Sequence, residues 1–133
     1  MIAKYKQFEI TAIFRGEKAA PWAENNYNHH IVIVDNTETG ATTRFDFWAS
    51  LARPELDTES DVLNAFYCFV SDAVAGSGDF ETFCDEYGYN NDSIKALKTF
   101  RACERSNRKF SRVSGFSLDE MYSFLDELCE IAG

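Results

Sequence analysis

Three observations predict an α+β fold. Apolar and polar residues alternate with a period of two in the first third of the chain, and a period of 3.6 takes over from Thr58. The switch happens once, near residue 55, with no internal repeat, linker or low-complexity tract around it. The 133 residues are 45% apolar and 15% aromatic with only two prolines, so one domain over 1–133 with a real core is expected.

Phe8, Ile10, Ala12 and Phe14 alternate with Glu9, Thr11 and Ile13, which predicts a strand over 4–14 with one buried face. Ile31 to Val34 is apolar on both faces and predicts a middle strand over 29–35. Asp35 to Gly40 supplies turn formers before Thr43, Phe45 and Phe47 resume alternation, so 29–35 and 41–48 form a hairpin. The expected sheet is a three-stranded antiparallel meander. Arg15 to Asn28 reads as one long loop carrying Pro21, Trp22 and Tyr27, and loops of that length are often functional. Trp22 either tucks against the sheet and pins the loop, or stands out as an anchor for a partner.

The predicted helices are four. Thr58 with Asp61 resembles a capping box for 58–75, whose Val62, Leu63, Phe66, Phe69, Val70, Ala73 and Val74 form a stripe broad enough to make this helix central. Asp79 caps 79–87, with Phe80, Phe83, Cys84 and Tyr87 on one side and Gly88 at the end. Asn91 or Asp92 caps 92–112, with Ala96, Leu97, Phe100, Cys103 and Phe110 inward. Ser117 to Glu120 is a capping box for 117–132, with Leu118, Met121, Leu125, Leu128, Cys129 and Ala132 as its buried stripe.

A net charge of −9 argues against a dedicated nucleic-acid binder, because neutralising phosphates needs an excess of Lys and Arg. The charge is, however, partitioned. Residues 58–92 carry eight acidic and no basic groups, 93–116 carry seven basic and one acidic, and 117–133 carry five acidic and none basic. On the third helix Lys95, Lys98, Arg101, Arg105, Arg108, Lys109 and Arg112 fall within about 140° of arc, a ridge able to follow a phosphate backbone or an acidic protein surface. Asp85, Glu86 and Asp92, then Asp126, Glu127 and Glu130, are the corresponding acidic candidates for contact with a basic groove on another protein. Either these opposite sets neutralise one another internally, or they form separate exterior faces.

Catalytic and metal signals are weaker. His29 and His30 are the only imidazoles, adjacent and therefore on opposite faces of an extended strand, and an enzyme site would have to form near them and Asp35. Asp35, Thr37, Thr39, Gly40 and Asp46 line up loosely with a calcium loop but lack its carboxylates, so a hairpin turn is expected. No catalytic residue, metal ligand or cofactor is assigned. Cys68, Cys84, Cys103 and Cys129 have no close pairing, which suits reduced thiols. Cys84, Cys103 and Cys129 lie on apolar stripes, while Cys68 shares a polar side with Asn64, Ser71 and Asp72 and is expected to be the most reachable. Met1 to Phe14 has no charged-then-apolar leader, and no segment is long and apolar enough to enter a membrane. A free sheet edge or the second face of the first helix would be the surfaces for self-association, whose state is unknown.

The run Asp79-Phe80-Glu81 to Cys84, Glu86-Tyr87-Gly88-Tyr89, Asp92-Ser93, Ala96, Phe100 and Ala102-Cys103 resembles a family of small bacteriophage and prophage proteins. Their second half reads approximately F-E-x-F/W-C-x-E-Y-G-Y-D-x-D-S-x-x-A-x-x-x-Y/F-x-A-C. The resemblance covers roughly 58–112; Asn90 replaces an Asp, and Gly115 to Gly133 extends past the usual end. It implies a mobile-element protein in a bacterial cytoplasm and transfers no functional residue. The resulting expectation is a non-enzymatic binding protein, a counter-defence (anti-CRISPR-like) inhibitor of a host nucleic-acid-handling protein, working through its acidic surfaces. A nucleic-acid-binding accessory factor using the third helix, and an enzyme at His29 and His30, are the alternatives.

Overall fold

The computed structural model describes residues 1–52 and 56–132. Strands β1 (Ile2–Tyr5), β2 (Phe8–Ala19), β3 (Asn26–Asn36) and β4 (Thr42–Ala49) precede helices α1 (Glu59–Ala75), α2 (Phe80–Tyr87), α3 (Ile94–Ser114) and α4 (Leu118–Ala132). The strands form one antiparallel sheet in the order β1-β2-β3-β4, so it has four strands rather than three. The expected strand 4–14 breaks at a tight turn in which Lys6 adopts φ 51°, folding Tyr5 back opposite Phe8. Inward positions are odd before this turn (Ala3, Tyr5) and even after it (Phe8, Ile10, Ala12), and the turn absorbs the change of phase.

The expected loop Arg15 to Asn28 is mostly strand. β2 and β3 stay paired out to Ala19 opposite Asn26, leaving 20–25 as the connection. A bulge makes this possible: Phe14 pairs with His30 and Gly16 with His29, so Arg15 is the extra residue. Gly16 holds φ 100°, a conformation that a side chain disfavours. Trp22 does not tuck away; it is 65% exposed, with its ring centroid 6.0 Å from those of Tyr27 and Trp48.

Among the described residues, helices cover one face of the sheet. Phe8, Ile10, Val32, Val34 and Phe45 point into it, and α1 lies across it with Val62, Phe66, Phe69 and Val70 buried. α3 and α4 flank α1 on the same side. The centre is aromatic: the Phe8 ring lies 5.6 Å from Phe66, 5.9 Å from Phe110, 6.0 Å from Phe116 and 5.4 Å from Phe124, in the tilted and edge-on geometries that favour ring pairs. A second, smaller cluster joins α2 to α3 through Phe83, Cys84, Ala96, Phe100 and Cys103. Two buried or half-buried amides tie elements that packing alone would leave free to slide. Asn36 donates to the Val113 carbonyl at 3.0 Å and Asn107 to the Ala73 carbonyl at 2.9 Å.

The helix starts are set by side-chain caps. Thr58, Asp79 and Ser117 accept from the amides of Asp61, Thr82 and Glu120, and Glu120 completes its box by accepting from the Ser117 amide. The third helix is capped by Ser93, which accepts from Ala96, and not by Asn91 or Asp92. In α4 the buried stripe is Met121, Phe124 and Leu128. Phe124 takes the place facing Phe8, which turns Leu118 and Cys129 outward. Cys129 is consequently the exposed thiol, while Cys68 is half-buried and Cys84 and Cys103 are buried. Among the described residues, no helix is long and apolar enough to cross a membrane.

Gly76, at the end of α1, abuts the α3 backbone so closely that a Cβ there would lie 2.2 Å from the Cys103 carbonyl carbon and oxygen. Neither helix backbone can give way locally. Gly76→Ala is expected to cost about 2 kcal/mol or more, read as a lower midpoint in urea unfolding. An unchanged midpoint would contradict this close crossing.

Candidate functional site

Asp85 and Glu86 on α2, Asp92 before α3, and Asp126 and Glu130 on α4 are all exposed. Glu127 is exposed too, but it already forms an ion pair with Lys6 at the β1–β2 turn. Among the described residues, the other carboxylate contact of this kind is the Asp46 hydrogen bond with His29, so none of the other five acidic candidates has a cationic partner. The basic ridge is likewise outward. Lys95, Lys98, Arg101, Arg105, Arg108 and Arg112 are exposed, and Lys109 is half-buried, its Nζ donating to the Arg44 carbonyl at 3.0 Å. The two sets of charge therefore do not lock together.

Each acidic helix also carries a half-exposed tyrosine. Tyr87, at the end of α2, is 48% exposed, and Tyr122, on α4, is 49% exposed. Partial burial, followed by the electrostatic influence of Glu86, Cys103, Tyr122 and Asp72, raises the Tyr87 hydroxyl above the ordinary tyrosine value. Asp72 keeps solvent exposure, yet its crowded setting in the last turn of α1 pushes its carboxyl up to about 6. The C-terminal end of a helix also disfavours negative charge. Burial, then Asp72, raises the thiols of Cys68 and of Cys103, the latter to about 12, which makes both poor nucleophiles. Sequence periodicity places Asp72 and Cys68 on one side of a helix but carries no signal that Tyr87 and Tyr122 are left half-exposed on the helices of the acidic candidates.

The opposite, uncovered face of the sheet holds the histidine region. His29 Nε2 lies 2.7 Å from Asp46 Oδ1, and its ring stacks on Trp48 at 4.3 Å. Lys18 Nζ caps the other neighbour, 5.5 Å from the centre of the Trp48 ring. His30 points to the inner face, beside Phe14 with ring centroids 5.2 Å apart. Asp35 stands six positions along β3 from His29, about 20 Å away at the usual rise. The three residues thus do not converge. Among the described residues, no hydroxyl or thiol hydrogen-bonds to His29, the contact that would make a nucleophile–base pair. Asp46 and Trp48 were legible in principle, since they alternate with the inward Phe45 and Phe47.

No group of three or more potential metal ligands gathers among the described residues. An open groove of about 390 Å³ lies between the β1–β2 turn and α4, lined by Phe116, Phe124, Asp119, Glu120 and Glu127. No family model matches the chain, and neither a curated protein nor a solved structure does.

The Asp72 carboxyl gives a signed pH effect. Its folded value, about 6, exceeds the unfolded 3.8, so the folded state holds a proton that the unfolded state has released. Stability from this group is therefore complete below about pH 4 and falls as pH rises through about 6. Asp72→Asn is expected to raise Tm at pH 7 and to leave it nearly unchanged at pH 3.5, by differential scanning calorimetry. A gain equal at both pH values would contradict the shift.

Proposed function

We propose that this chain is a non-enzymatic binding protein that occupies a basic surface on a bacterial protein through the acidic faces of α2 and α4. The observation that carries this reading is the set of exposed carboxylates on α2 and α4 that have no cationic partner among the described residues, with half-exposed Tyr87 and Tyr122 on the same two helices. Half-exposed tyrosines supply contact area at low entropic cost, and carboxylates around them steer a cationic partner and exclude others. The resemblance to phage and prophage proteins supports a setting in the bacterial cytoplasm and a counter-defence role. A groove that normally binds nucleic acid is the basic surface such a protein would mimic phosphates to enter. Asp85, Glu86, Asp92, Asp126 and Glu130 are its contacts; Glu127 contributes less, because Lys6 already holds it.

A second reading is favoured by the outward position of the α3 ridge. Six exposed cations on 21 helical residues suit a phosphate backbone, with affinity that falls steeply as salt rises. One experiment separates the two. The tagged chain is used to capture partners from bacterial lysate, with and without nuclease, alongside the variant Asp85→Lys/Glu86→Lys and the variant Tyr87→Ala/Tyr122→Ala. The acidic reading predicts a protein partner that survives nuclease and binds each variant at least about tenfold more weakly. Capture abolished by nuclease, or lost only on Arg101→Glu/Arg105→Glu, would transfer the function to the ridge.

A further inference from the structure

We propose that the uncovered face of the sheet is the interface of a homodimer. Strand pairing fixes what this face presents. Ile2, Thr11 and Ile33 share one row across the sheet, and Ile13 and Ile31 share the next. Ile2 is 47% and Ile13 40% exposed, with Ile31 and Ile33 half-buried beside them. Four contiguous isoleucines are thus left to solvent, on the side of the sheet that carries no helix.

The occupant follows from charge. The outward residues flanking this strip are Lys4, Lys18 and Arg44 against Glu9, Asp35 and Asp46. They cancel, on a chain whose net charge is −9. A two-fold contact between two copies through α2 or α4 sets carboxylates against carboxylates, and a two-fold contact through α3 sets cations against cations. The sheet face, with three charges of each sign around its isoleucines, is where two copies meet two-fold without that repulsion.

Area points the same way. Four strands about 4.8 Å apart and the β2–β3 hairpin beyond them give a footprint of roughly 500 Å². Side-chain relief on it offers on the order of 700 Å², near the ~800 Å² per partner of a standard interface. Face-to-face packing of two such sheets is an ordinary arrangement, with Trp22 and Trp48 at one end as large anchors. Edge pairing is the poorer geometry. β1 has only four residues, and β4 places Arg44 and Asp46 along its length. The second face of α1, the other candidate from sequence, is buried under α3 and α4.

Sedimentation velocity on the full chain from about 1 to 100 µM tests this, with Ile13→Arg, Ile2→Lys and, as a control, Asp126→Lys. The expected result is a species of twice 15.1 kDa for the parent chain and the control. Ile13→Arg should weaken association at least about tenfold with an unchanged circular dichroism spectrum, and Ile2→Lys, at the first residue of β1, should do the same if Ile13→Arg fails to fold. A parent chain monomeric throughout overturns the proposal and leaves the strip to a different protein. So does a dimer indifferent to both isoleucine changes or broken by Asp126→Lys. None of these results depends on the acidic docking reading, whose test uses other residues and another readout.

Discussion

Phe8 governs the layout. It is fully buried at the start of β2 and touches rings from α1, α3, α4 and the α3–α4 connection, so all of these elements must lie on the same side of the sheet. Once the helical layer is committed to that side, each helix turns its apolar stripe toward the sheet and its charged side away from it. The exposed cations of α3 and the exposed anions of α2 and α4 follow from this geometry. No ion pair joins the two sets among the described residues, because the hydrophobic layer decides orientation before charge can. Burial of large aromatic side chains is worth several kcal/mol each, against a fraction of one for an exposed ion pair.

One-sided layering also divides the surface by chemistry. The helical side carries strong, sorted charge and half-exposed tyrosines. The sheet side is neutral, apolar at its middle and aromatic at the hairpin end. The proposed self-association and the proposed docking of a charged partner therefore use separate places. Two copies joined at their sheets would direct their helical layers in opposite directions and present two docking faces. Against a multimeric target, or two sites on one target, such bivalency strengthens binding without any new contact.

The helices were more legible than the strands, for a physical reason. Thr58, Asp79 and Ser117 mark helix starts in the sequence, and the apolar spacing between caps leaves little freedom. The break at Lys6 carries no Gly, Asn or Pro; its trace is only the change of inward parity from Ala3 and Tyr5 to Phe8 and Ile10. Arg15 hid the rest of β2, since a bulge inserts one residue and destroys alternation just where the reading stops at Phe14. Ser93 prevailed over Asn91 and Asp92 as a cap, a difference of one or two positions that periodicity does not resolve. Within the candidate site, the charged residues were readable because charge is local to the sequence. The half-exposure of Tyr87 and Tyr122 and the crowding of Asp72 were not, since they depend on how the helices pack. Cys129 and Leu118 were misplaced for the same reason: Phe124 outcompeted them for the space beside Phe8.

Like charges sit on separate exterior faces, with no ion pair between the acidic and basic sets among the described residues, so self-repulsion opposes folding. The most direct measurement is Tm at neutral pH as NaCl rises from about 10 to about 500 mM, a range that shortens the screening length from about 30 Å to under 5 Å. Sorted, unpaired charge predicts a steady rise in Tm as repulsion is screened. A steady fall would mean that attractive pairs hold the fold together, and would contradict the account.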